Sequence, residues 1–293
     1  MLPIGVIGAG TEWDAVWRPA FAQLSRLVVA SFYDPVAGRG ERVAEAHQWQ
    51  AVGSLRQLLE TPRLKGVVIL DAGWLGTWVV HEADRRRIPV LVSPRESGGD
   101  WLAGALAEAT GETLIQPELR RRYTPATMRV RELTATRLGP IKELRIEIPS
   151  RTPLDVSQWA EAIDWCRFVV QSAVTSAERV NGEGNLKLVF RKQHDGAAIE
   201  ANVSLCSTED PPAYPGDFTA ELMCRDGVAI ISGNRRVRWK AGDEEGEEEL
   251  SEDRSSAAVQ LDLFARRLAG GLVPVASLDD VASAVQLARS ALR

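Results

Sequence analysis

The apolar positions of this chain fall into two successive rhythms. Up to about residue 117, short buried-strand runs alternate with stretches of helical spacing. The runs are Leu2–Ile7, Leu27–Phe32 (leading into Tyr33-Asp34-Pro35), Gly66–Leu70, Val90–Val92 and Thr113–Ile115. Between the first two, Trp13, Val16, Trp17, Ala20, Phe21 and Leu24 recur at the spacing of a helix face. Further helices are predicted over about 40–47, 55–60, 77–87 and 101–109, with Ser54 placed to cap the second of these. Strands alternating with helices in this way predict an α/β fold with a doubly wound parallel sheet.

Beyond residue 117 strand-like runs dominate, at 141–148, 186–191, 198–206, 218–224 and 228–231, with another around Trp239. Asp195-Gly196 and Asp226-Gly227 are good hairpin turns. Helices are predicted over 124–138, entered through Pro125, over 157–171, and over 257–268 and 278–292. In the helix over 157–171, Trp159, Ile163, Cys166 and Val170 share one face. The pattern predicts two domains, 1–118 and 119–293, the second an α/β domain with a large, mostly antiparallel open sheet. The acidic run Asp243–Asp253 reads as a solvated loop. The basic clusters Arg85-Arg86-Arg87 and Arg120-Arg121-Arg122 read as solvated helix faces.

Composition narrows the function classes. The 293 residues are 45% hydrophobic and 26% charged, with a formal net charge of -5, which is ordinary for a globular protein and argues against a nucleic-acid partner. No run approaches the roughly 18 apolar residues of a membrane span, and no basic segment precedes the first strand, so a cytoplasmic protein is expected. Cys166, Cys206 and Cys224 are an odd, widely spaced set; reduced thiols and no metal site are expected.

The chemistry-bearing feature is the end of the first strand, Ile7-Gly8-Ala9-Gly10-Thr11-Glu12-Trp13. Two glycines spaced by one residue, between a strand and a helix, form a dinucleotide-binding turn: Gly8 permits the tight turn, and Gly10 lets backbone approach a pyrophosphate at the helix N-terminus. Trp13 stands where the third glycine of that fingerprint would fall, so it must swing out, displace the helix or occupy the phosphate site. Asp34 follows Gly10 at the end of the second strand. A carboxylate there accepts hydrogen bonds from an adenosine ribose and repels a 2′-phosphate, which favours NAD over NADP.

With these elements in order, the chain resembles the Gfo/Idh/MocA oxidoreductases. Gly8-Ala9-Gly10 is similar to that family's turn, and Trp17-Arg18-Pro19-Ala20-Phe21 stands where members often carry His-x-Pro-Ala-Leu. Arg122-Tyr123-Thr124-Pro125 resembles Arg-Phe-x-Pro, and Leu138-Gly139-Pro140-Ile141 resembles the Gly-x-Ile hairpin entry. Phe264–Pro274 followed by Asp279-Asp280 resembles the C-terminal signature. The resemblance implies a Rossmann domain for dinucleotide, then a sheet domain for substrate binding and homo-oligomer formation. It implies cofactor contacts from Gly8, Gly10, Thr11, Glu12, Trp13, Asp34, Asp71, Trp74 and Ser93, with a small-molecule ligand.

The same resemblance exposes departures. The family's catalytic lysine falls within Ser93-Pro94-Arg95-Glu96, and no lysine lies between Lys65 and Lys142. Arg95 can polarise a carbonyl but cannot shuttle a proton. The family's Asp-x-x-x-His helix motif aligns with Ser157 and Glu161, with Asp164 matching a further aspartate; the only histidines are His47, His81 and His194. The Thr-Pro turn before the nicotinamide site becomes Asp71-Ala72-Gly73-Trp74. Arg95, Glu161 and Asp164 are therefore the candidate catalytic residues, with a salt-bridged or solvent-facing stripe as the alternative for the two carboxylates. His81 reads as a surface or packing residue. Trp74 and Trp78, at i and i+4, are either packing or a stacking surface at the cleft.

Three functions stay open. One is an atypical NAD(P)-linked reductase or dehydrogenase of a small carbonyl or sugar-like substrate; biliverdin reductases, which resemble the family, also lack the lysine. The second is a non-catalytic binding, regulatory or scaffold relative. The third, a lyase or hydrolase using the carboxylates, has no nucleophile–base pair in the sequence to support it.

Overall fold

Residues 2–7 have no helical period and end at a glycine pair, so they form a strand buried on both sides. In the computed structural model, which describes residues 1–36, 38–93, 112–150, 156–180, 184–191, 199–207 and 218–292, this strand is β1 (Leu2–Ile7). It lies between β2 (Leu27–Tyr33) and β3 (Gly66–Ile69), parallel to both. With β4 (Val90–Val92) and β5 (Ile115–Pro117) they form a five-stranded sheet in the order β2-β1-β3-β4-β5. Every strand pair in it is parallel, as the alternating rhythm predicts. The helices include α1 (Arg18–Ala22), α2 (Arg39–His47), α3 (Leu55–Leu59) and α4 (Trp78–Arg85). Ser54 caps α3 by accepting the Gln57 N–H.

The chain divides into two compact units. One comprises Met1–Leu119 with Arg254–Ala282, and the other Arg120–Asp253 with Ser283–Arg293. The return of residues 254–282 to the first unit has a packing reason. Helix α7 (Ser256–Leu268) brings Leu261 and Phe264 into the core built on β1 and β3. A Cβ on Gly66 would come within 3.0 Å of the Phe264 ring, so β3 and this helix meet at van der Waals contact.

The first unit's core is aromatic at one end. The rings of Phe21, Phe32, His47 and Trp49 lie 5.6 to 5.9 Å from the Trp13 ring, and His47 stacks on Trp49 at 4.6 Å. Trp13 is 6% exposed and Trp17 1%. The backbone widens to admit the indole: Trp13–Trp17 is a π-helical turn in which Trp17 N–H reaches the Glu12 carbonyl at 3.3 Å. Single π-turns of this kind insert one extra residue into a helix at a local strain.

The second unit is an eight-stranded sheet, ordered β13-β12-β11-β10-β6-β9-β8-β7. Its strands are β6 (Ile141–Ser150), β7 (Val174–Arg179), β8 (Asn185–Phe190), β9 (Glu200–Ser207), β10 (Thr219–Cys224), β11 (Gly227–Ser232), β12 (Arg236–Ala241) and β13 (Glu244–Glu249). All pairs are antiparallel except β6 with β9. Period-two burial marks the core side: Leu144, Ile146 and Ile148 are buried, while Arg145 and Glu147 between them are exposed. Asp226-Gly227 makes the β10–β11 hairpin, whereas Asp195-Gly196 and the helix expected over 101–109 lie outside the described residues. This unit also holds α5 (Pro125–Leu133) and α6 (Val156–Val170), and the chain ends in α8 (Leu278–Leu292).

The acidic run is a correction. Glu244–Glu249 is the edge strand β13, with Arg238 opposite Glu247 and Arg236 opposite Glu249. Basic residues on β12 offset the repulsion between the glutamates. A charged edge also discourages pairing with another chain. Gly246 has no side chain because the Trp239 indole covers it; a Cβ would lie 2.8 Å from Trp239 Nε1.

Replacing Trp13 by glycine, which restores the third fingerprint glycine, empties the aromatic cluster; urea titration should show a loss of about 3–5 kcal/mol. Burial pushes the thiols of Cys166 and Cys224 up, Cys224 to about 11 with Asp226 adding to the effect. The unfolded chain releases its thiol proton near the ordinary value while the folded chain retains it, so stability should decline as pH rises from about 9 toward 11. Neither thiol should react with an alkylating reagent at neutral pH until the protein is unfolded.

Candidate functional site

The turn after β1 is built as the glycine spacing requires. Gly8 and Gly10 have φ of +73° and +68°, the left-handed region that L side chains rarely occupy. Gly8 is also sterically fixed: a Cβ would fall 2.0 Å from the Asp71 carbonyl oxygen. Its N–H donates to the Tyr33 carbonyl at 2.8 Å, and the next N–H, of Ala9, donates to Asp34 Oδ2 at 2.9 Å. Thr11 is exposed and Glu12 half-buried where the chain enters the π-turn. Of the three outcomes expected for Trp13, the side chain takes the core cluster, and the helix begins with a π-turn at that position.

Asp34, expected to face a ribose, is buried and hydrogen-bonded on both oxygens. Besides Ala9, it accepts the Val36 N–H on Oδ1 at 2.8 Å and Arg39 Nε on Oδ2 at 2.7 Å. Arg39 Nη2 donates at 2.9 Å to Asp71 Oδ2, and Asp71 Oδ1 accepts the Gly73 N–H at 2.8 Å. Partial burial works against the Arg39 charge, but hydrogen bonds and charge from Asp34 and Asp71 outweigh it and raise its pKa above the ordinary value. Sequence reasoning missed Arg39. Its signal was a guanidinium five residues past Asp34, on the first turn of the next helix.

Trp74 and Trp78 are 80% and 52% exposed. They do not share a helix face, because Gly76 at φ +51° separates the short 3-10 turn Gly73–Leu75 from α4. Ser93, at the end of β4, is buried; its N–H donates to the Ile69 carbonyl and its Oγ to Glu118 Oε2 at 3.2 Å. The Ser93 hydroxyl, expected among the cofactor contacts, is thus engaged with Glu118. Arg95 lies outside the described residues. His81 is half-buried on α4.

In the second unit, Glu161 and Asp164 lie on one stretch of α6, as their spacing requires, and both meet arginine. Arg122 Nε donates to Asp164 Oδ2 at 2.8 Å and its Nη2 to Oδ1, a two-pronged pair with both residues buried. Arg121 Nε lies 3.8 Å from Glu161 Oε1. The Arg122 guanidinium also lies 5.1 Å from the Phe168 ring centre, a cation–π contact. This corrects the reading of Arg120–Arg122 as a solvated face: all three are buried, on a 3-10 turn Arg120–Tyr123. Arg85–Arg87, by contrast, is exposed. Thr127 helps fix α6, accepting Trp165 Nε1–H at 2.9 Å, and Thr124 caps α5. Among the described residues no group of three or more His, Cys, Asp or Glu could hold a metal ion, and no helix is long and apolar enough to cross a membrane.

A carboxylate held on both oxygens by a buried guanidinium contributes to stability through that pairing. Asp164→Ala should destabilise the protein by about 3–5 kcal/mol by leaving Arg122 buried and unpaired, measured by urea unfolding. Replacing both by Met and Leu should recover most of that loss.

No protein-family model and no curated protein matches the sequence. Solved structures do match, over nearly the full length. UDP-N-acetylglucosamine 3-dehydrogenase GnnA from Acidithiobacillus ferrooxidans is 17% identical with a TM-score of 0.76, covering 99% of this chain and 96% of that one. An oxidoreductase from Agrobacterium radiobacter, solved with NAD+, L-tartaric acid and magnesium, is 16% identical with a TM-score of 0.76, covering 99% and 95%. A Gfo/Idh/MocA family oxidoreductase from Vibrio cholerae is 14% identical with a TM-score of 0.75, covering 99% and 96%. The chain has the Gfo/Idh/MocA oxidoreductase fold, a Rossmann-like parallel sheet and a mostly antiparallel eight-stranded sheet.

Proposed function

We propose that this chain is a nicotinamide-dinucleotide-binding protein of the oxidoreductase type, with NAD as the favoured cofactor and NADP second. The observation that carries this reading is the turn after β1. Two glycines in the left-handed region shape it, with Gly8 set against the Asp71 carbonyl where no Cβ could stand, at the carboxyl edge of a doubly wound sheet. Open α/β sheets bind ligands at that edge. The dehydrogenases and the NAD+ complex that share the fold support the same cofactor class, and a small carbonyl or sugar-like compound as substrate.

When bound, the cofactor would supply hydride-transfer chemistry. The chain's own part is positioning: the turn from Gly8 to Gly10 would face the pyrophosphate with no side chain at either glycine, and the Asp34 carboxylate fixes the turn. We read proton transfer as the step for which the family resemblance leaves this chain without the expected lysine, aspartate and histidine. Ser93 is tied to Glu118, and Glu161 and Asp164 face arginines. Those ion pairs favour a second reading, in which the protein keeps the fold and the nucleotide but acts by binding or regulation.

Titration with NADH and NADPH, followed by tryptophan fluorescence, tests the first reading, since exposed Trp74 sits on the loop beside the turn. Saturable quenching is expected, stronger for NADH. Oxidation of the bound cofactor by aldehydes or keto-sugars would mark an enzyme, and quenching without oxidation would mark the binding protein. No quenching at millimolar cofactor would falsify the dinucleotide reading.

A further inference from the structure

The strand order β2-β1-β3-β4-β5 places the topological switch point between β1 and β3. Ile7, the last residue of β1, pairs with Tyr33 on one side and Ile69 on the other. Just beyond, Asp34 and Asp71 follow β2 and β3 on the two sides of Gly8, and Arg39 is bonded to both carboxylates. The two loops also meet directly: a Cβ on Gly73 would lie 2.9 Å from Pro35 Cγ. The loop walls of the crevice are thus joined over the glycine turn by the chain's own ion pairs.

The two carboxylates are not equivalent. Asp34 has a fully buried side chain and holds three donors, two of them backbone N–H groups. It is a fixed part of the turn. Asp71 keeps 16% of its side chain exposed, and among the described residues its Oδ2 is held by Arg39. A dinucleotide's pyrophosphate brings two negative charges to this turn. Asp71 repels them and at the same time holds a guanidinium N–H group that a phosphate or ribose oxygen could use.

We propose that Asp71 is an affinity-determining residue of the dinucleotide site. Its carboxylate competes with the dinucleotide for Arg39, and binding proceeds by exchange of the Arg39–Asp71 arm for an Arg39–dinucleotide arm while the Arg39–Asp34 arm stays in place. The inference rests on the dinucleotide reading above. It makes the Asp71 position one where removing a charge, with little change of shape, improves binding.

Calorimetric titration of the full chain with NADH tests it, using wild type, Asp71→Asn, Asp71→Ser and Arg39→Gln, each checked for folding by circular dichroism. Asp71→Asn is expected to bind NADH at least about tenfold more tightly than wild type, well below the full Coulomb energy of a like-charge contact because the site is partly open to solvent. Asp71→Ser, which still offers an acceptor to the Gly73 N–H, should do the same if the asparagine variant does not fold. Arg39→Gln should bind more weakly than wild type. Unchanged or weaker binding by the folded Asp71 variants, with wild type binding normally, overturns this inference and leaves the dinucleotide reading standing. Absence of binding by wild type and by the Asp71 variants overturns both.

Discussion

The first unit depends on one buried carboxylate. Asp34 ends β2 with its side chain out of solvent, and an isolated charge there would cost several kcal/mol. Three donors offset that cost, and each belongs to a different segment: Ala9 to the glycine turn, Val36 to the loop after β2, and Arg39 to the start of α2. The same atoms therefore set the charge of the site and the shape of the turn. Gly8 can approach the Asp71 carbonyl so closely only because nothing projects from its Cα.

Trp13 shows how a broken motif can leave the fold intact. The third glycine of the fingerprint allows a helix to pack tightly on a strand. Here an indole takes that position, the first turn becomes π-helical, and the displaced volume is filled by Phe21, Phe32, His47 and Trp49. The turn and the packing behind it are thus separable: the two glycines hold the turn's dihedrals while the aromatic cluster supplies the contact between helix and sheet.

Most of the architecture was legible in the sequence because period and turn chemistry are local. The strand–helix alternation, the Ser54 cap, the Asp226-Gly227 hairpin and the helices at 256–268 and 278–292 all appear where their residues require. What local pattern could not carry was partnership. Glu244–Glu249 looked like a loop because six residues, five of them acidic, are poor strand formers; it is a strand because the basic face of β12 pairs with it. Arg120–Arg122 looked solvated because the acidic residues that meet two of its arginines lie some forty positions away on α6. The candidate site was half legible for the same reason. Gly8, Gly10 and Asp34 are named by motif, while Arg39 and the roles of Asp71 and Ser93 arise only when strand ends are brought together.

A nicotinamide dinucleotide at the β1 turn would show most directly in amide hydrogen exchange of the full chain with and without saturating NADH, read at peptide resolution. Slower exchange is expected mainly in peptides covering Gly8–Asp14, Asp34 with Arg39, and Asp71–Gly76. Unchanged exchange in those segments, with protection elsewhere or nowhere, would contradict it.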